Sequence, residues 1–310
     1  MQRYLDFNQF LRKKFGERVH RIALDAGFNC PNRDGTISTQ GCIFCDRRGS
    51  GTGALLDFGI DIVEQIRRSK EHIRRRYKAK KFIAYFQSFT NTYAPLNKLK
   101  ELYDIALAQE DMVGFSVGTR PDCVDEKVLE LLASYMDRAM VWVELGLQSA
   151  HDVTLRRINR GHDVACFERA VHMAREYGLD VCAHVILGLP GEDRDMMLQT
   201  ARKVAQLPIQ GIKIHLLYVV EDSPLGSLYK KGKVRCLERE EYVDLVVDFL
   251  ELLPPQMVIQ RLTGDPPARS NLIAPQWAKE KMTNLNLIKK RLEERNTWQG
   301  KHYEGSMSAK

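Results

Sequence analysis

Six short apolar runs rich in β-branched residues, at 19–26, 81–86, 112–117, 139–145, 179–187 and 211–219, alternate with stretches whose apolar residues return at helical spacing. Helices are expected at 60–77, 96–108, 126–135 and 166–177. That alternation predicts βα units and a parallel sheet, hence an α/β fold. A seventh candidate strand lies at 257–261, and a basic amphipathic helix at 276–295. No linker, low-complexity tract or repeat divides the chain. The expected organisation is therefore a barrel over 1–265 and a basic helical extension over 266–310, frayed from residue 300.

Gly, polar and charged residues gather just after each run, as in Gln87-Ser88, Gly118-Thr-Arg-Pro-Asp122, Gly146-Leu-Gln-Ser149 and Gly188-Leu-Pro-Gly-Glu-Asp193. Parallel α/β barrels build their active sites at that end of the strands. The loop after the first run carries Cys30, Cys42 and Cys45 within sixteen residues, the last two as C-x-x-C with Phe44 before the final thiol. Two thiolates three positions apart converge on one metal centre, and the gap of eleven residues lets Cys30 fold back as a third ligand. No fourth Cys or His follows nearby. A structural zinc site closes with four protein ligands, whereas a cluster on three cysteines keeps one iron open. The spacing alone leaves both readings standing, the zinc one drawing its fourth ligand from Cys123 or His20.

The chain has 310 residues, 44% hydrophobic and 28% charged, enough for one barrel-sized core. No apolar run reaches the roughly 18 residues of a membrane span, and MQRYLDFNQFLRKKFGE holds no signal-peptide core. A cytoplasmic protein with reduced thiols is expected, no membrane partner is expected, and Cys123, Cys166, Cys182 and Cys236 read as buried free thiols. The net charge of +7 is unevenly spread: nine of the fifteen residues at 67–81 are Lys or Arg. A second basic group is Lys230, Lys231, Lys233 and Arg235, and a third is Lys289, Lys290 and Arg291. Such patches suit a polyanion, or are solvated helix faces. Gly49-Ser-Gly-Thr-Gly53 is no phosphate loop, since no Gly-Lys-Ser/Thr follows; it reads as flexible backbone near the thiols.

Taken together, the cysteine loop, the glycines after Cys45, Thr119-Arg-Pro-Asp122, Glu144-Leu-Gly-Leu-Gln-Ser149, Asn159-Arg-Gly-His162 and Leu187-Gly-Leu-Pro-Gly-Glu192 are similar to one family. Across residues 5–263 the chain resembles the radical SAM enzymes, more narrowly the YhcC/YtqA type, close to the radical domain of the elongator catalytic subunit. The general motif of that family spaces its cysteines x3 and x2, and the x11 and x2 found here resemble the narrower group. The resemblance implies a partial (β/α)6 TIM-type barrel of parallel strands with a C-terminal helical extension. It implies a 4Fe–4S cluster on Cys30, Cys42 and Cys45, whose open iron binds S-adenosylmethionine. Reductive cleavage of that cofactor would give a 5′-deoxyadenosyl radical, with electrons from an external donor of flavodoxin or ferredoxin type.

The resemblance also proposes roles at the strand ends. Gln87 and Ser88 stand where related enzymes carry a Gly-Gly-Glu-like turn for the methionine amino group, although this chain lacks the glycines and acid of that turn. Glu144, Gln148 and Ser149 would hydrogen-bond the ribose and amino-acid portions. Arg160 would pair with the carboxylate, and Gly188 would let backbone approach the adenine. Plainer readings stand beside these: Glu144 paired with a barrel arginine, Arg160 as a helix cap, Gly188–Gly191 as a tight turn, His184 as a core histidine. The implied substrate is the wobble uridine of tRNA, modified at its C5 substituent. A small metabolite or peptide is the rival within enzymes, and a non-catalytic zinc protein that binds RNA the rival outside them.

Overall fold

In the computed structural model, which describes residues 2–47, 49, 61–264, 266 and 271–305, seven strands form one sheet in the order β1-β2-β3-β4-β5-β6-β8. They are β1 (Val19–Leu24), β2 (Lys81–Phe86), β3 (Met112–Thr119), β4 (Met140–Gln148), β5 (Asp180–Leu187), β6 (Gly211–Leu216) and β8 (Val258–Arg261). Every neighbouring pair is parallel. Around them run α1 (Phe7–Phe15), α2 (Ile62–Tyr77), α3 (Leu96–Leu107), α4 (Glu126–Ala133), α5 (Asp152–Arg157), α6 (Val164–Glu176), α7 (Arg194–Gln206), α8 (Pro224–Lys230), α9 (Arg239–Glu251) and α10 (Lys281–Glu294). Strands buried on both faces read as near-continuous apolar runs, which is why the alternation was visible in the sequence.

The outer face of the sheet packs against the helices through the main core, which includes Phe82, Phe86, Phe115, Val143 and Val181. The inner face is layered. At the N-terminal ends of the strands Val19, Ile83, Trp142, Cys182 and Val258 form an apolar plug, closed from below by Phe7 and Leu11 of α1. Phe7 and Phe10 meet Trp142 edge-on at centroid distances of 6.2 and 6.1 Å. One step higher the layer turns polar, with Arg21, Tyr85, Glu144, His184, Lys213 and Gln260. The sheet curls far enough that its two edges communicate: Arg21 of β1 donates to Gln260 Oε1 of β8 at 2.8 Å. The N-terminal segment bridges the same gap, with Ile259 N–H donating to Leu5 O at 2.8 Å.

Three boundaries differ from expectation. β6 stops at Leu216, because its ladder partner β5 ends at Leu187 and Gly188 turns away at φ 88°. Val219–Val220 instead forms β7, paired antiparallel with β9 (Leu272–Ala274). The expected helix at 276–295 is a 3-10 turn, Gln276–Lys279, followed by α10, with Glu280 between them outside helical geometry at ψ 54°. Residues 299–302 are held rather than frayed: Gln299 donates to Pro254 O and Met257 O at 2.6 and 2.8 Å, and the Gly300 and His302 amides donate to Leu250 O and Glu251 O.

Candidate active site

The cysteine loop leaves β1 and is pinned to the turn between α5 and α6. Asn32 Nδ2 donates to Asn159 O at 2.7 Å, Asn159 Nδ2 donates to Gly41 O at 2.7 Å, and Ile43 N–H donates to Ile158 O at 3.0 Å. Asn159 itself sits at φ 52°, a left-handed position that asparagine tolerates. Gly161 follows at φ 78°, where a Cβ would lie 3.0 Å from Asn32 Oδ1 and 3.2 Å from Arg120 Nη2. Arg120, 2% exposed, is gripped on one side by the Asp122 carboxylate at 2.8 and 2.9 Å and donates on the other to Arg160 O at 2.9 Å. The motifs at 119–122 and 159–162 are thus a brace that fixes where Arg160 stands.

Cys30, Cys42 and Cys45 line one cavity at the C-terminal ends of the strands, with Gln87, Arg120, Glu144, Gly146, Gln148, Arg160, His184, His215 and Arg261. It offers about 190 Å³ to the centres of water molecules. One water needs roughly 10–15 Å³ on that measure, so the space is far larger than a bare ion requires. All three thiols are free. Arg160 Nη1 and Asn32 Nδ2 both approach Cys42 Sγ at 3.5 Å. Two N–H donors aimed at one sulfur, in a cavity of this size with no fourth cysteine on its wall, fit a thiolate-held cluster better than a closed zinc site. The two candidate fourth ligands stand elsewhere. His20 stacks on Tyr77 at 4.7 Å, and Cys123 is off the cavity wall with its thiol pushed up to about 12 by burial and then by Asp122.

Of the residues expected to meet a cofactor, Gln87, Glu144, Gln148 and Arg160 reach the cavity. Ser88, Ser149 and Gly188 stand behind its wall. Ser88 is fully buried with Oγ unpartnered, the Ser149 hydroxyl donates to the Glu192 carboxylate, and Gly188 abuts Leu237. Of the glycine-rich stretch after Cys45, Gly49 lines the cavity and residues 50–53 lie outside the described ones.

Glu144 lines the cavity and is at the same time held by charged neighbours. It is fully buried, contacts the Lys213 ammonium, accepts from His184 Nε2 at 2.7 Å and lies 3.6 Å from Arg21 Nη1. Burial alone would push its carboxyl up; Lys213, His184 and Arg21 together outweigh that and hold it well below the usual range. Lys213 is pulled down to about 7, first by burial and then by Arg21, with Glu144 opposing. Glu144, Cys182 and His184 bring three ligand-type atoms within 4.8 Å of one another. With an ammonium already on the carboxylate and a cysteine held protonated by burial, that group is an ion-pair network rather than a metal site. Sequence reasoning missed Lys213 and His215, although both alternate with the apolar Ile212, Ile214 and Leu216 along β6.

The basic stretches are more neutral than their sequence suggests. On α2, Arg67 and Arg68 pair with Glu64, Arg75 with Glu71, and Arg74 with Asp111 across to the next loop. Lys230 pairs with Glu221 and Arg235 with Glu241, and on α10 Arg291 pairs with Glu240 and Asp244. Arg76, Lys78, Lys231 and Lys233 remain without an acidic partner among the described residues. No helix among those residues is long and apolar enough to cross a membrane.

Comparison with known proteins fits this geometry. The model of the Radical SAM superfamily matches residues 32–204, and that of the Radical_SAM C-terminal domain matches residues 209–294. YtqA of Bacillus subtilis is 46% identical over 305 residues, covering 98% of this chain and 94% of that protein. The tRNA uridine(34) acetyltransferase of Dehalococcoides mccartyi is 32% identical over 164 residues, 52% of this chain and 35% of that protein. Among solved structures, the Elp3 of Methanocaldococcus infernus superposes with a TM-score of 0.67 at 19% identity, covering 91% of this chain and 64% of that one, a likeness of fold.

Proposed function

The chain belongs to the radical SAM superfamily, and from that premise we propose that Cys30, Cys42 and Cys45 hold a 4Fe–4S cluster open to S-adenosylmethionine, in an enzyme that modifies the wobble uridine of tRNA. When bound, that pair supplies reductive cleavage of a sulfonium and a hydrogen-abstracting radical, with the electron from an external flavodoxin- or ferredoxin-type donor. The observation that carries the assignment is the convergence of three free thiols on one cavity, with Arg160 and Asn32 donating to the sulfur of Cys42. Such N–H donors stabilise the thiolate form and tune the cluster. The remaining N–H groups of Arg160 suit the cofactor's carboxylate, and Gln148 and Gln87 offer amides beside it. The apolar plug under Trp142 closes the far end of the barrel to water.

The nucleic-acid half of the proposal rests on likeness to a relative named for uridine 34 of tRNA and on the exposed cations of α2. Its ion pairs are no obstacle, since exposed pairs are worth roughly 0.2–1 kcal/mol and phosphate can replace the acids. Arg74→Glu with Arg75→Glu is expected to weaken tRNA binding and to flatten its salt dependence by roughly 0.7–0.9 in log–log slope per lost phosphate contact. An unchanged slope would move the substrate to a small metabolite or peptide. Nucleoside mass spectrometry of tRNA from cells with and without the protein then identifies the modified base.

A further inference from the structure

Among the described residues, the cavity wall carries four arginines, Arg33, Arg120, Arg160 and Arg261, against one carboxylate, Glu144. Three of the four are answered. Arg33 donates to the backbone carbonyls of Cys45 and Asp46, Arg120 is paired with Asp122, and Arg160 donates to Gly146 O at 2.8 Å and to Cys42 Sγ. Arg261, at the C-terminal end of β8, has no side-chain hydrogen bond or ion pair with any described residue. Glu144 makes no ion pair with it: its Oε2 is taken by Lys213 and His184 and its Oε1 faces Arg21 at 3.6 Å. On the same wall stands His215, whose Nε2 is buried and unpartnered. Burial and then Arg261 hold its ring neutral, so that nitrogen can carry a proton to donate. A half-buried guanidinium and a buried ring nitrogen that share one partly enclosed wall are both left without a partner, and donors of this kind suit an anion.

We propose that Arg261 and His215 form a subsite for an anionic group of the substrate, a carboxylate or a phosphate, on the β6–β8 side of the cavity. The proposal rests on the reading of this cavity as the reaction chamber and adds what its occupant must present. Arg160 and the thiols are borne by the loops after β1 and β4 and this pair by β6 and β8, so an anion at Arg261 would be held by different elements from those that hold the cluster. A planar carboxylate or a tetrahedral oxyanion could each span the two, accepting from the guanidinium of Arg261 and from the ring N–H of His215.

The test is calorimetric titration of the full chain, with iron content read on the same sample, using acetate and sulfate as separate probes at an ionic strength held constant with chloride. One of the two is expected to bind above the chloride background, acetate pointing to a carboxylate and sulfate to a phosphate. Arg261→Met should weaken that binding by about tenfold or more, with partial recovery in Arg261→Lys. His215→Phe gives a second, independent variant should Arg261→Met fail to fold. Absence of binding by both probes, or parent-like binding in Arg261→Met or in His215→Phe, would overturn the subsite. So would displacement of the probe by S-adenosylmethionine, since the anion would then be the cofactor's own carboxylate. Failure of the cluster assignment shows separately, as missing iron whatever the anion result.

Discussion

A single hydrogen at Gly146 holds the arrangement of the two side chains proposed to face the cofactor. A Cβ there would fall 2.5 Å from Arg160 Nη2 and 2.6 Å from Gln148 Nε2. Both atoms end flexible side chains, so Gly146→Ala should displace them rather than unfold the strand. The expected result is a melting temperature near that of the parent, with S-adenosylmethionine binding weakened by about ten- to hundredfold, the equivalent of one charged hydrogen bond of roughly 1.5–3 kcal/mol. Unchanged affinity would mean that Arg160 acts only through Cys42 and the backbone of Gly146. The brace from Asp122 through Arg120 to Arg160 O holds the backbone from which that guanidinium reaches.

Among the elements, α1 and β4 meet at the barrel floor. Trp142 is fully buried between Phe7, Phe10 and the sheet, and truncating such a side chain costs roughly 3–5 kcal/mol. Trp142→Ala should lower the urea midpoint accordingly, and a loss under about 1 kcal/mol would show that α1 seals nothing. The strands that make this layer were legible because each is buried on both faces and bounded by Gly, Pro or polar residues. The cysteine loop was legible because its spacing is a local property. What the sequence could not express is which charges meet across the sheet. Glu144 finds Lys213 sixty-nine residues away, and one strand's pattern does not say what faces it. Glu64 and Glu71, which pair along α2 itself, stand at helical spacing in the sequence, but Asp111 was hidden for the same reason, thirty-seven residues beyond Arg74. Ser149 and Gly188 follow strands that were correctly placed, yet a turn of backbone sends them behind the wall.

At the scale of the molecule, the fold buries two histidines that resist protonation while folded, His184 on β5 and His162 in the turn before α6. His184 is pulled down to about 4, by burial first and Lys213 next, and His162 to about 3, by burial and then Arg160. Both stand near 6.5 in the unfolded chain. The unfolded chain therefore takes up protons first as pH falls, so this stability is complete above about pH 6.5 and is lost progressively down through the folded values. For His184, whose side chain is 16% exposed, the loss amounts to about 3 kcal/mol. Melting curves from about pH 7.5 to 5 should show the decline, and His184→Gln should reduce its slope by up to one proton; a flat profile would contradict the burial of these rings. The central claim is the cluster, and iron and sulfide content of single cysteine variants tests it most directly. Cys30→Ala, Cys42→Ala and Cys45→Ala should each lose bound iron–sulfur and reductive cleavage of S-adenosylmethionine, while Cys123→Ala, Cys166→Ala, Cys182→Ala and Cys236→Ala should keep the iron. A Cys42→Ala protein that retains its cluster, or a Cys123→Ala protein that loses it, would contradict the three-thiol centre.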